Sequence, residues 1–404
     1  MAGRGVGMRK TCGVWRVFAV VALGLALWGC ACGQKNIVDR TDRQIIVDYP
    51  EAVSDEPPIE KPTLPPPDAQ RLLRLAVIAD MNSRYGSTEY APEVVRAIDI
   101  IVAERPDIVI NAGDMVAGQR AKLRYRDMWK AFHSIVTDRL VEAGIPMAQT
   151  VGNHDGSGYT PFANEREIYI DEWLQRKPAL DYVDDSAYPL YYSFLQNGLF
   201  FVALDASTLD ALSQEQFSWL ERQLANNPTP YGPIVFGHVP LFPVTAVKPE
   251  VVRDARLHPL FAKHGVQLVI SGHHHAYFPA VLDGVTYLHV GVLGGGPRPV
   301  RQNGGVEPKT FSFVNLYANA SPTVDTFLMD GTSHTPFNHN LLPTYIVHGP
   351  TLLPRIDIAM EDARFAYEYM ISPHMTRSQM LTLIEALRAS QGDWSRVSEW
   401  SLAE

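Results

Sequence analysis

Five short clusters of acidic, amide and imidazole side chains recur along this chain. They are Asp80-Met81-Asn82, Gly113-Asp114, Gly152-Asn153-His154-Asp155, Gly237-His238 and Gly272-His273-His274-His275. Their oxygen and imidazole donors suit divalent cations such as Mn, Fe or Zn, and no sulfur is among them. A cation held this way can lower the pKa of bound water and make it a nucleophile at neutral pH. Each cluster closely follows an apolar run, at residues 75–78, 108–110, 147–151, 234–236 and 266–270. Runs of this kind predict buried strands. Five strand ends would then deliver ligands far apart in sequence to one edge of a sheet, as α/β proteins build their sites. Taken singly, each cluster has a bland reading: a turn or cap residue for each Asp, or a loose metal-binding tract at 273–275. The ordered series is what points to one site. Alternate side chains of a strand share a face, so His273 and His275 would point together and His274 away.

This series resembles the calcineurin-like metallophosphoesterase family, whose motifs run D-x-H, G-D, G-N-H-D/E, G-H and G-H-x-H in this order. The resemblance covers residues 72–330. Four motifs are present; the first departs, with Asn82 where the family has His. The resemblance implies a metal-dependent hydrolase of phosphate mono- or diesters, with two divalent ions (Mn, Fe or Zn) about 3.5–4 Å apart and a metal-activated water. It assigns Asp114 as the bridging ligand, Asp80 and His275 to one ion, and Asn153, His238 and His273 to the other. Asn82 would be an oxygen donor in the first site, favouring a harder ion such as Mn, or would stand behind the ligands while water completes the site. His154 follows Asn153 directly and would act as catalytic acid, with an imidazole pKa suited to proton transfer near neutrality. Asp155 would orient His154 or cap the next turn. A rival reading, prompted by Asn82, is a metal-binding envelope protein that keeps the fold with weak or no turnover. A purple-acid-phosphatase site expects a Tyr ligand in the second motif, and residues 113–117 offer none.

The elements that must position these residues alternate. A strand at 75–78, an amphipathic helix at 92–104, a strand at 108–110, a long helix near 123–142 and a strand at 145–151 form a βαβαβ opening with parallel strands. Strands at 191–195 and 199–204 flank Gln196-Asn197-Gly198, a hairpin signal. Ser213 and Gln216 stand in capping-box register before a helix at 214–226. Further strands are expected at 234–236, 266–270, around an Asp283-Gly284 hairpin, at 311–317 and at 323–328. The resemblance implies a four-layer α/β/β/α sandwich of two mixed sheets. A helix at 377–389, opened by Thr376 and Gln379, suggests a helical C-terminal extension over 331–404.

The 404 residues, 46% apolar and 20% charged, are ordinary for a globular protein and exclude wholesale disorder. Residues 1–29 carry Arg4, Arg9, Lys10 and Arg16 and no acid, so their removal would take the formal charge from −9 to about −13. Such acidity disfavours nucleic acid as a partner, and the resemblance implies a small phosphate ester as the substrate. A basic start, an apolar run at 14–28 and Leu27-Trp28-Gly29-Cys30 look like a bacterial lipoprotein signal peptide over 1–29, with a lipid on Cys30 as the membrane anchor. That places the protein in the cell envelope, at the outer membrane facing the periplasm or at the cell surface. Residues 30–69, rich in Pro and acids, read as a tether and 70–330 as the catalytic domain. All three cysteines (Cys12, Cys30, Cys32) precede that domain, which therefore has neither disulfides nor thiolate ligands. Assembly state is not legible in the sequence.

Overall fold

The computed structural model describes residues 69–302, 308–349 and 351–370. The expected lipidated leader, all but the last residue of the tether, and the helix expected at 377–389 lie outside these residues. Among the described residues no helix is long and apolar enough to cross a membrane.

The first sheet begins with β1 (Arg71–Ile78), whose last four residues are fully buried. Helix α1 (Pro92–Glu104) starts on a proline, where a missing N–H costs nothing, and stops at left-handed Arg105. Strands β2 (Ile108–Asn111) and β3 (Met147–Gln149) then pair in parallel with β1 and with each other in turn. The helix expected at 123–142 is a composite. It runs as α2 (Tyr125–Phe132), a π-helical turn (His133–Thr137) and α3 (Asp138–Glu142). A single turn, α4 (Asn153–Gly156), and a longer helix, α5 (Ala163–Gln175), follow. Charge dominates α5, so its short buried stripe of Tyr169 and Trp173 gives little periodicity to read.

The second sheet opens on β4 (Asp181–Ala187), an edge strand whose acidic sequence carries a weak strand signal. Strands β5 (Tyr191–Gln196) and β6 (Leu199–Ala203) form the expected hairpin, with Asn197 at φ 49° and Gly198 at φ 75° as a two-residue primed turn needs. Helix α6 (Gln214–Ala225) is capped by Ser213, whose side chain accepts from Gln216 N at 3.1 Å. Strand β7 (Ile234–Phe236), helix α7 (Leu257–Lys263), strand β8 (Leu268–Ser271) and the hairpin β9 (Phe278–Leu282) and β10 (Val285–His289) complete this part. The chain then returns to the first sheet with β11 (Lys309–Tyr317), β12 (Thr323–Asp330) and β13 (Ser333–Pro336).

The strand orders are β13-β12-β11-β1-β2-β3 and β4-β5-β6-β7-β8-β10-β9. Both sheets mix parallel and antiparallel pairs, and residues of both share one continuous apolar core. Polar contacts stitch the sheets together inside it. The Tyr192 hydroxyl on β5 donates to Gln149 O (2.6 Å) and accepts from Gln149 N (3.0 Å) on β3. With helices flanking them, the sheets make the expected α/β/β/α architecture.

In the described part of the extension expected over 331–404, up to residue 370, strands stand beside the helix. A small hairpin, β14 (Tyr345–His348) and β15 (Thr351–Pro354), precedes helix α8 (Met360–Met370). Short apolar runs on either side of Gly349 at φ 56° carry that hairpin. Buried Arg355 anchors it, donating to Leu342 O at 3.0 Å, while Ile356 N reaches Pro279 O of β9 at 2.9 Å.

Candidate metal centre

The parallel ladders continue past the strand ends, and this gathers the five clusters. In the first sheet Ala112 N donates to Ile78 O (2.8 Å), Asp80 N to Gly113 O (3.0 Å) and Thr150 N to Asn111 O (3.0 Å). In the second, Leu204 N donates to Phe236 O (2.9 Å), Gly237 N to Ile270 O (3.0 Å) and Gly272 N to His238 O (3.0 Å). Side-chain bonds then cross between the sheets. Asp80 accepts from His273 N at 2.9 Å, and His238 Nδ1 meets Ala112 O at 2.8 Å.

Six of the sequence-predicted ligands converge. Asp80, Asp114 and His275 each offer an atom, all within 4.8 Å of one another. Next to them, Asn153 Oδ1 lies 3.0 Å from His238 Nε2 and 2.9 Å from His273 Nδ1. Asp114 belongs to both groups, since its Oδ1 is 3.3 Å from His238 Nε2. Tautomers follow from the outer bonds. Nδ1 of His238 donates to Ala112 O and Nδ1 of His275 to Gly296 O (2.9 Å), so each ring turns an Nε2 lone pair inward. For His238 that lone pair faces Asn153 Oδ1 and Asp114 Oδ1, which are acceptors too. Three buried acceptors turned on one point repel one another unless a positive charge sits among them. A proton on His238 can serve: burial opposes it, but the Asp114 carboxylate outweighs burial and raises this pKa to about 9. A divalent cation meets the same demand, and the oxygen and imidazole donors fit one. Burial would lift the Asp114 carboxyl, yet His238 and His154 hold it far below the usual carboxylate range.

The seventh predicted ligand, Asn82, is buried beside this group. Its backbone N donates to Asp114 O (3.2 Å) and its side-chain Nδ2 to Val116 O (3.3 Å), so the nitrogen end of the amide is turned to the protein.

Backbone geometry decides which way these side chains face. Asp80 (φ 50°), Asp114 (φ 57°), His273 (φ 67°) and His275 (φ 52°) all occupy the left-handed region, uncommon outside glycine. Residues held there cluster at functional sites. His273 and His275 do converge while His274 leaves, its Nε2 on Glu250 O at 2.8 Å and its ring stacked on His289. The cause is this left-handed loop after β8 rather than strand alternation. The motif glycines are required by crowding. A Cβ at Gly113, itself at φ 92°, would lie 2.7 Å from His238 Nδ1, and one at Gly152 would lie 2.3 Å from Asp114 Oδ1.

His154, expected as the catalytic acid, lies at the rim. Its Nδ1 bonds Gly118 O at 3.0 Å, its Nε2 faces Asp114 Oδ2 across 3.9 Å, and the half-exposed Tyr85 ring lies 5.5 Å away. Of the two readings of Asp155, the hydrogen bonds show the cap. Its buried carboxylate does not orient His154: it accepts from the backbone N–H groups of Gly152 (2.9 Å), Asp114 (2.8 Å), Met115 (2.7 Å) and Val116 (2.9 Å). It thus caps its own turn and ties the second cluster to the third. Burial and the Asp114 charge push this carboxyl up to about 7, against the four donors that favour its anion.

Arg298 spends one guanidinium nitrogen on His273 O at 2.9 Å. Sequence reasoning missed Gln119, whose Oε1 accepts from Asn153 Nδ2 at 2.9 Å, and Glu165, which accepts from Gln119 N at 2.8 Å. Neither lies in a motif, and only their spatial position marks them.

Known proteins share this arrangement of sequence. The rat serine/threonine-protein phosphatase CPPED1 (Rattus norvegicus) is 28% identical over 202 residues, which are 46% of this chain and 58% of that protein. Purple acid phosphatase 15 of Arabidopsis thaliana is 23% identical over 233 residues, covering 50% of this chain and 40% of its own. The chain thus spans little more than half the length of the first of these relatives. Among solved structures, a dimetal phosphatase from Danio rerio superposes with a TM-score of 0.45 at 15% identity, covering 63% of this chain and 99% of that one. The calcineurin-like phosphoesterase family matches residues 73–277, from within β1 to just beyond the last histidine of the site. The chain belongs to the calcineurin-like phosphoesterase family.

Proposed function

We propose that this chain is a metal-dependent hydrolase of phosphate mono- or diesters, held in the bacterial envelope by a lipid on Cys30. The observation that carries the reading is the buried convergence of Asp80, Asp114 and His275 beside Asn153, His238 and His273. Asp80 and His275 would hold one divalent ion, Asn153, His238 and His273 the other, and Asp114 both. When bound, the ions would neutralise phosphoryl oxygens and lower the pKa of a water. The chain's own residues supply the rest. Asp80, Asp114 and the inward imidazole nitrogens would fix where the ions sit, and so where negative phosphoryl oxygens could be neutralised. His154, with Nδ1 spent on Gly118 O, keeps Nε2 for giving a proton to the leaving oxygen. Asp155 keeps the loops of Asp114 and His154 in register.

Mn, Fe and Zn all suit the donors. Asn82, with its nitrogen end turned to Val116 O, supports a role as an oxygen donor or a neighbour of the first ion. The test is hydrolysis of nitrophenyl phosphate and bis-nitrophenyl phosphate by EDTA-stripped protein reloaded with Mn²⁺, together with elemental analysis. Turnover of either ester with two bound ions is expected. Two bound ions and no turnover of either would favour the metal-binding scaffold instead.

A further inference from the structure

We propose that Gln119 is a positioning residue: it fixes which end of the Asn153 amide faces the metal centre. This rests on the dinuclear reading above. An amide has one end that ligates a cation and one that repels it, and the two ends are nearly equal in size. Rotating Asn153 by half a turn would set an NH₂ group against His238 and His273, where its oxygen now lies at 3.0 and 2.9 Å. Gln119 Oε1 takes the Asn153 nitrogen at 2.9 Å and so selects the ligating sense.

The Gln119 backbone is itself held in place. Its φ of 65° is left-handed, and its backbone N–H is pinned by Glu165 Oε2 at 2.8 Å, from a side chain that is only 4% exposed on α5. The preceding residue engages the other functional side chain of the same cluster. Gly118 N donates to His154 O at 3.1 Å, and Gly118 O accepts His154 Nδ1. A Cβ at Gly118 would lie 2.2 Å from His154 O, so the close approach excludes larger residues. Residues 118 and 119 therefore face Asn153 and His154 as a pair. One selects the amide end and the other the ring nitrogen that each presents to the site.

Calorimetric titration of EDTA-stripped protein with Mn²⁺, with elemental analysis, tests this. Gln119→Met removes the acceptor at similar size, whereas Gln119→Glu can only accept. The methionine variant is expected to keep one ion and bind the second ~10–100-fold more weakly, with an unchanged metal-free melting temperature. The glutamate variant is expected to bind both. In an Asn153→Asp background either end of the side chain is oxygen, so Gln119→Met is expected to cost the second ion little further affinity. Wild-type affinity for both ions in Gln119→Met overturns the assignment, as does an equal loss with and without Asn153→Asp. Fewer than two ions in the unsubstituted protein overturns the dinuclear reading itself, a result separate from any difference among the variants.

Discussion

At the scale of single residues, the site works by convergence of acceptors. Asp114 is the hinge of that arrangement, because it touches both ligand groups and its charge raises the His238 pKa. Asp114→Asn is expected to abolish turnover and release metal; elemental analysis with an ester assay checks both, and full metal content with activity would remove its bridging role. His154 is different, since its ring nitrogens touch no ligand within hydrogen-bond reach. His154→Ala is expected to slow turnover about 10²–10⁴-fold while metal content stays unchanged. Loss of metal in that variant would reassign the residue. The converging residues were legible as candidate ligands only through their ordered series, because each cluster taken singly also fits turn or cap chemistry. For Asp155 the type left two readings, orienting His154 or capping the turn, and its four N–H donors decide for the cap.

At the scale of elements, strand ends deliver the ligands and loops aim them. Short parallel strands β1, β2, β3, β7 and β8 were readable because buried strands are plain apolar runs. The hairpin at Asn197-Gly198 and the Ser213 cap were readable because local turn and cap chemistry needs those residues. Edge strand β4 and helix α5 carry mostly charged residues, and their partners rather than their own patterns hold them. The loop after β2 depends on Asp155. In Asp155→Asn, two of the N–H donors would face an NH₂ group in place of an oxygen. We expect this to destabilise the protein by roughly 2–5 kcal/mol, read as a lower denaturation midpoint with unchanged slope. Near-native stability would show that the loops hold their register unaided.

At the scale of the whole molecule, buried titratable groups set a pH optimum for the metal-free protein. His133 and His289 are pushed down to about 4 and His274 to about 3, chiefly by burial. Their stabilising share is complete above the unfolded histidine value near 6.5 and is lost as pH falls below it. His238 works in the opposite sense. Raised to about 9, it contributes fully below ~6.5 and loses that share as pH rises through about 9. Asp155, raised to about 7, loses its share earlier, as pH rises from about 4 to about 7, and so offsets part of the histidine gain. Thermal melts in EDTA are therefore expected to peak near neutrality and fall on both sides. Mn²⁺ should flatten the alkaline limb, because a cation replaces the proton on His238; an alkaline limb indifferent to metal would contradict the site.

The order and chemistry of the ligands, the alternation of strands and helices, and the hairpin and cap signals belong to the sequence alone. Each is fixed by residue type or by spacing along the chain. Tertiary structure decided the rest: left-handed backbone at Asp80, Asp114, His273 and His275, the nitrogen that each imidazole turns inward, the reach of Asp155 and the partner of Asn153. Those depend on which carbonyls and N–H groups two packed sheets bring within 3 Å of one another. Contacts between residues 34 to 193 positions apart leave no pattern in either segment by itself.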